Sequence, residues 1–289
     1  MNREHLLAAR HLAMEECAFQ NAFTNLPSVH VYLGKQDEPK VEFVAATNTY
    51  SEWELNWLGI DTERQKSGLV AIIPVQGALA PFWSYGGTNT EWLSRQIEIC
   101  LGNDAISAIV LKGMSGGGTV AGTLSVAETV RKAQDLKPIL GYVNGMAASA
   151  AYWIFSQTRE IYLESAVSTA LGSIGVLGVF VSEAKRLEQD GYDIRLLRSK
   201  GSEDKSLLHP AEPINEDALK EEQRIIDAMR VEFLSHVQAN RPKITQDPGG
   251  KLYYGKDAIR IGMADGVGSL YDTIKRADYL ARKQMSLVA

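Results

Sequence analysis

An α/β fold built on a mainly parallel sheet is predicted by three observations. Apolar runs of strand length alternate along the chain with amphipathic stretches of helix length. Several of those runs are apolar at successive positions, as strands buried on both faces must be. Glycine-rich turns stand where the strands end, and in such sheets the ligand site lies beyond the carboxyl ends of the strands. The 289 residues, 45% hydrophobic, allow one large domain or two and a substantial core.

Residues 1–66 differ in character from the remainder of the chain. A short helix is expected over His5–Phe19, then a mixed polar stretch without clear period, so this part is read as an arm or small appendage ahead of a main domain at 67–289. Leu69–Val75 is a continuous apolar run and the first buried strand. A loop of glycines and aromatics, Pro81–Gly87, leads to a helix that Thr90 is placed to cap, with Leu93, Ile97, Cys100 and Leu101 on one side. Strand Ile106–Leu111, a glycine loop, a helix through Leu124, Ala127 and Val130, and strand Pro138–Val143 continue the alternation. Beyond a helix at Ala150–Ile154 come strand Glu160–Leu163, a Gly-Ser-Ile-Gly turn, helix Ser182–Gln189 and strand Asp193–Leu197. Ser199–Pro213 is polar and loop-like. A long helix starts near Asn215, with Leu219, Ile226, Met229, Phe233 and Val237 as its apolar stripe, and ends before Pro242 and the Asp-Pro-Gly-Gly turn at 247–250. Ser269-Leu-Tyr-Asp272 has the capping-box pattern that opens a last helix.

Composition excludes several classes. A net charge of −5 and a pI near 5.6 provide no basic face for nucleic acid. Cys17 and Cys100 stand far apart with no Cys-His cluster beside them, so neither a disulfide framework nor a structural zinc is expected, and nothing calls for a cofactor. The first residues carry charge every few positions and lack the apolar core of a secretory signal. The most apolar run, Ile174–Val181, is short and broken by Gly175 and Gly178, so no membrane span is expected and the chain is read as soluble and cytoplasmic.

One stretch points to chemistry. Gly145-Met-Ala-Ala-Ser-Ala-Ala-Tyr-Trp-Ile154 sets a single hydroxyl, Ser149, between a strand and a helix, where backbone N–H groups favour a developing negative charge. The alternative is a packed serine cap. Ser115-Gly-Gly-Gly-Thr-Val120 also follows a strand and precedes a helix, and its amides suit either a phosphate or an oxyanion. The lysine of a phosphate-binding loop is missing, and the loop converges on the same sheet end as Ser149, which favours the oxyanion.

A serine nucleophile needs a base. Of five histidines, three lie in the N-terminal arm and His236 lies in the long helix, leaving His209 as a minor candidate. Lys200 and Lys205 share its loop, and a lysine serves as a base when burial or a hydrogen-bonded neighbour keeps it neutral. Leu196, Leu197, Leu207 and Leu208 are the apolar neighbours available to desolvate it. Ser173, flanked by glycines, is either part of a tight turn or the hydroxyl that orients the amine toward Ser149.

Taken in order, the glycine loop 115–120, the Ser149 segment, Gly172-Ser-Ile-Gly-Val176, the loop Ser199–Pro210, and Gly255-Lys-Asp-Ala258 followed by Gly262-Met-Ala-Asp265 resemble the SppA family of serine peptidases over about residues 68–280. The resemblance implies a ClpP/crotonase-like fold of repeated ββα units in a superhelix, with C-terminal helices. It implies a Ser-Lys dyad with Ser149 as nucleophile, Lys205 as general base and Ser173 orienting the lysine, and an oxyanion hole from Gly118 and the N–H of Ala150. The single-copy core resembles the phage head-maturation branch of the lambda protein C type, which implies a homo-oligomer acting on capsid, scaffold or portal proteins inside an assembling head. This chain has Gly116 where the family has proline, Ala150 where glycine is common, and extra residues in Ser199-Lys-Gly-Ser-Glu-Asp-Lys205. Lys205 is preferred over Lys200 because it keeps the family's spacing to Pro210. The rival readings are a cytoplasmic SppA-like peptide peptidase, an assembly protein that has lost the chemistry, and a crotonase-like acyl-CoA enzyme.

Overall fold

The computed structural model describes residues 11–14, 39–45, 68–82 and 87–286. Strands β1 (His11–Met14), β2 (Glu42–Ala45), β3 (Leu69–Ala80) and β4 (Thr88–Asn89) precede helix α1 (Thr90–Leu101). Then come β5 (Ile106–Thr119), α2 (Thr123–Ala133), β6 (Ile139–Ala148), α3 (Ala150–Ser156), β7 (Ile161–Leu163), β8 (Ala170–Gly172) and β9 (Leu177–Gly178). The chain continues through α4 (Ala184–Gln189), α5 (Glu216–Asn240), β10 (Leu252–Tyr254), α6 (Gly255–Arg260), β11 (Gly266–Val267) and α7 (Leu270–Ser286).

The predicted parallel sheet is present. β3, β5, β6, β7 and β11 pair parallel in that order, with β2 antiparallel outside β3. Each long strand serves two neighbourhoods. β6 pairs with β7 through Gly141–Val143 and then with β8 through Met146–Ala148. The β5–β6 register shifts between Gly113 and Ser115, so the strands bend there and carry their ends into a second tier. That second tier holds the candidate site.

Continuous apolar runs become strands buried on both faces. From β3, Ala71, Ile73 and Val75 face a core shared with α1, α2, α3 and α5, while Val70 and Ile72 face Ile274, Ala277 and Ala281 of α7. Gly113 is required by close approach, since a Cβ there would lie 2.4 Å from the ring of Phe155, and α3 sits against the sheet through that gap.

Several expectations are met in detail. Ser269 and Asp272 form the reciprocal box at the start of α7, the Ser269 N–H donating to Asp272 Oδ2 at 3.0 Å and the Asp272 N–H to Ser269 Oγ at 3.1 Å. The Asn215 side chain caps α5, accepting from Asp217 and Ala218.

Four expectations are corrected. Asn89, not Thr90, caps α1, its Oδ1 accepting from the Trp92 N–H at 2.9 Å. The glycine run expected as a loop is the end of strand β5, because β3 on one side and β1 on the other accept its ladder. Within the helix expected over His5–Phe19, residues 11–14 form a strand, local helix propensity yielding to pairing with two neighbours, while the rest lies outside the described residues. Asp193–Leu197 is not a strand. Among the described residues no strand pairs with it, and Leu197 is 95% exposed. Two strands, β1 and β2, thus come from the stretch read as an arm.

The closing segment has a structural task. Asp265 Oδ2 accepts from the Ile161 N–H at 2.7 Å and from Arg241 Nη1 at 2.5 Å, and Arg241 also donates to the carbonyls of Ser156 and Thr158. Arg241 is 5% exposed, so Asp265→Ala leaves a buried guanidinium without its anion. The expected result in a denaturant melt is a loss of about 3 kcal/mol, with a smaller loss for Asp265→Asn, which keeps an acceptor.

Candidate active site

β6 runs directly into α3 with Ser149 as the only residue between them. Ala148 pairs with Gly172 of β8, the Ser149 N–H donates to the Gly172 carbonyl at 2.8 Å, and the Ser149 carbonyl accepts the first bond of α3 from Trp153 at 2.9 Å. Held on both sides, Ser149 adopts φ 54° and ψ −124°, outside the regions open to an L-residue, at a cost of ~1–3 kcal/mol. The hydroxyl does not cap the helix. It donates to the Gly175 carbonyl at a long 3.5 Å, which leaves the oxygen lone pairs uncommitted. Such a strained strand-to-helix turn is the geometry that presents a nucleophilic serine.

α3 cannot shift easily. The Trp153 ring stacks on Phe233 of α5 at 4.5 Å with 6° between planes, and its indole N–H donates to His236 Nδ1 at 3.3 Å. His236 therefore packs, as expected of its helix position.

The glycine run lies beside Ser149. Ser115 pairs with Ala147 two residues before the serine, which brings Gly116–Gly118 along the same end of the sheet. Ser115 is buried and pins the run, donating to the Gly77 carbonyl at 2.6 Å and accepting from the Gly117 N–H at 3.1 Å. This side-chain tie restrains the backbone of Gly116 and Gly117. Gly118 is required by β3, since a Cβ there would lie 1.9 Å from the Leu79 carbonyl oxygen. The Ala150 N–H precedes the first helical bond and so has no acceptor within α3.

Ser173 follows β8 as Ser149 follows β6, with φ 52°, and is 9% exposed. Its N–H donates to the Lys251 carbonyl at 2.9 Å and its carbonyl accepts from Gly175 at 2.9 Å. Ser149, Ser173, Gly118 and Ala150 are thus gathered at one end of the sheet.

Lys205 is not among them. It is exposed, in the turns after α4, and no hydrogen bond joins it to Ser149 or Ser173. Its backbone is nonetheless held. Arg198 Nε donates to the Lys205 carbonyl at 2.6 Å and Nη2 to the Ser206 carbonyl at 3.0 Å, while its fork binds Glu212 at 3.0 and 2.5 Å. The guanidinium holds the Glu212 carboxyl below its usual range. Lys200 is exposed too, and His209 spends Nδ1 on the Ala211 N–H at 3.1 Å. The ties of Ser115 to Gly77 and of Arg198 to the carbonyls of Lys205 and Ser206 carry no local signal in the sequence, because the partners lie 38, seven and eight residues away.

Burial pushes the Cys100 thiol up, which suits an inert core residue. Among the described residues no group of His, Cys, Asp and Glu is placed to hold a metal, and no helix is long and apolar enough to cross a membrane.

The chain is similar in sequence to known proteins. The chain is 27% identical over 186 residues to a putative protease of Methanocaldococcus jannaschii, covering 62% of this chain and 58% of that protein. It is 27% identical over 215 residues to Capsid assembly protease C of Escherichia phage lambda, covering 71% and 48%. Protease 4 of Salmonella typhi is 27% identical over 229 residues, covering 77% and 36%. The chain spans about half the length of the first two of these relatives and less of the third. The sequence pattern of peptidase family S49 matches residues 131–284, more than half of the chain and from α2 to α7, and so takes in the Ser149 elbow, Ser173 and the Lys205 loop: the chain belongs to peptidase family S49.

Proposed function

We propose that this chain is a serine endopeptidase in which Ser149 is the nucleophile and Lys205 the general base, residues 67–289 forming the peptidase domain. The strained Ser149 elbow beside the pinned glycine strand is the observation that carries the reading. Neutral Lys205 takes the Ser149 proton as Oγ attacks a peptide carbonyl, and the oxyanion rests on the N–H groups of Gly118 and Ala150. The protonated amine then gives its proton to the leaving nitrogen, and water hydrolyses the ester. Ser173 directs the amine. A fixed oxyanion donor is worth about 3 kcal/mol of barrier, so the glycine strand matters on the same scale as the base.

The base arrives from a second copy of the chain. Lys205 belongs to a segment whose apolar side chains are uncovered, Val181 at 51%, Ile194 at 45% and Leu197 at 95% exposure, and Leu219, Ile226 and Met229 of α5 are only half-buried. Packing that segment on a neighbour covers it and desolvates the lysine, as a neutral amine requires. Because two phage relatives are named Capsid assembly protease C and Head-tail preconnector protein, we take capsid, scaffold or portal proteins as the substrates and the assembling head in the host cytoplasm as the setting.

Arg198 positions the lysine turn without touching substrate. Arg198→Ala is expected to lower kcat about 10- to 100-fold with little change in KM, the scale of a misplaced catalytic group. Lysine at this position restores little, since it cannot reproduce the fork on Glu212 and two carbonyls. The direct test of the reading is a serine-directed acylating probe: it labels the wild type at Ser149 and leaves Ser149→Ala unmarked. A chain that keeps the shape and has lost the chemistry stays unlabelled throughout.

A further inference from the structure

β1 pairs with two strands that do not otherwise meet on that side. Leu12, Ala13 and Met14 pair antiparallel with Thr119, Gly118 and Gly117 of β5, while His11 and Leu12 pair antiparallel with Gly178 and Leu177 of β9. Leu12 is shared by both ladders. Without this segment, the end of β5 and the whole of β9 would face each other across a one-strand gap, each with an open row of N–H and C=O groups. Such a gap is an acceptor for an extended peptide, which gains main-chain bonds on both edges.

Both rails of the gap come from the neighbours of Ser149. Gly118, opposite Ala13, is the candidate oxyanion donor. β9 starts two residues after Gly175, whose carbonyl accepts from Ser149 Oγ. A peptide laid in the gap therefore passes the serine with its backbone at the level of the oxyanion strand. We infer that the gap between β5 and β9 is the chain's peptide-binding slot and that its own His11–Met14 segment occupies it as a tethered competitor, restraining the site until the segment leaves. The inference rests on the peptidase reading for its consequence, and on strand pairing alone for its geometry.

The segment is intrinsically displaceable. Four residues at a sheet opening contribute few bonds, and a tether raises their effective concentration without any further contact. A substrate that presents a longer extended stretch can therefore replace it.

The test uses the full chain. Leu12→Pro removes the N–H of the residue shared by the two ladders and fixes its φ, and Ala13→Pro does the same opposite Gly118. With an unfolded protein as substrate, both variants are expected to lower KM about five- to tenfold at unchanged kcat, because the competent fraction of the slot rises. Binding is read separately, with a labelled synthetic peptide copying residues 8–18 and the Ser149→Ala chain as host. The peptide is expected to bind about tenfold more tightly when the host also carries Leu12→Pro. Equal binding to both hosts overturns the inference, whatever the activity. Tighter binding with no hydrolysis by any variant upholds the slot and its occupant and instead defeats the peptidase reading. Unchanged circular dichroism and melting temperature of Leu12→Pro establish that the change acts on the slot and not on the fold.

Discussion

The Ser149→Ala chain is expected to hydrolyse an unfolded protein at least ~10⁴-fold more slowly than the wild type, the scale on which removal of a serine nucleophile acts. Its stability should barely move, because alanine keeps the Cβ and the hydroxyl makes one long bond to Gly175. Ser149→Gly separates nucleophile from strain. Glycine accepts φ 54° and ψ −124°, so it recovers the ~1–3 kcal/mol of backbone strain less ~0.5–1 kcal/mol of its own chain entropy. An equally inactive variant that is about 1 kcal/mol more stable than the wild type is the expected outcome in denaturant titration. A Ser149→Gly chain less stable than the wild type would show that the elbow is relaxed, and would remove the physical argument for the serine being held there for chemistry.

Lys205→Ala carries the second large effect. In the proposed mechanism the two act as a unit, so loss of Lys205 is expected to cost ~10³–10⁴-fold in kcat, comparable to loss of the serine. Folding of the chain is expected to be unaffected, since the side chain is exposed. Lys205→Arg should not restore activity, because a guanidinium stays protonated and cannot accept the serine proton. Lys200→Ala, five residues earlier in the same exposed loop, is expected to stay within about threefold of the wild type, as surface substitutions away from the reacting groups do. If Lys200→Ala inactivates and Lys205→Ala does not, the base has been misassigned.

What is legible in the sequence is what local pattern controls. The apolar runs of β3, β5 and β6 announce strands buried on both faces because both faces are in fact covered, by α1, α2 and α3 on one side and α7 on the other. Asn215 and the Ser269–Asp272 box mark helix starts through bonds within a few residues. Ser149 stands out because a lone hydroxyl among small residues follows a strand, and the small neighbours are what allow β6 to turn into α3 without a loop. What is not legible depends on partners distant in the chain. The glycine run reads as a loop, yet β1 and β3 make it a strand, and nothing near residues 116–118 encodes β1. Asp193–Leu197 has the alternation of a strand but pairs with no strand among the described residues, and Ile194 and Leu197 lie open. The same dependence explains Arg198, whose value lies in two carbonyls seven and eight residues away and in Glu212.

The central question is whether a lysine in one copy activates the serine of another, and one mixing experiment asks this directly. Full-length Ser149→Ala and Lys205→Ala are each inactive alone, and are co-refolded in equal amounts so that copies exchange. If Lys205 serves a neighbour's Ser149, paired subunits contain one site with both groups intact, and random pairing restores about a quarter of wild-type activity in a dimer. A co-refolded mixture no more active than either variant by itself contradicts the account.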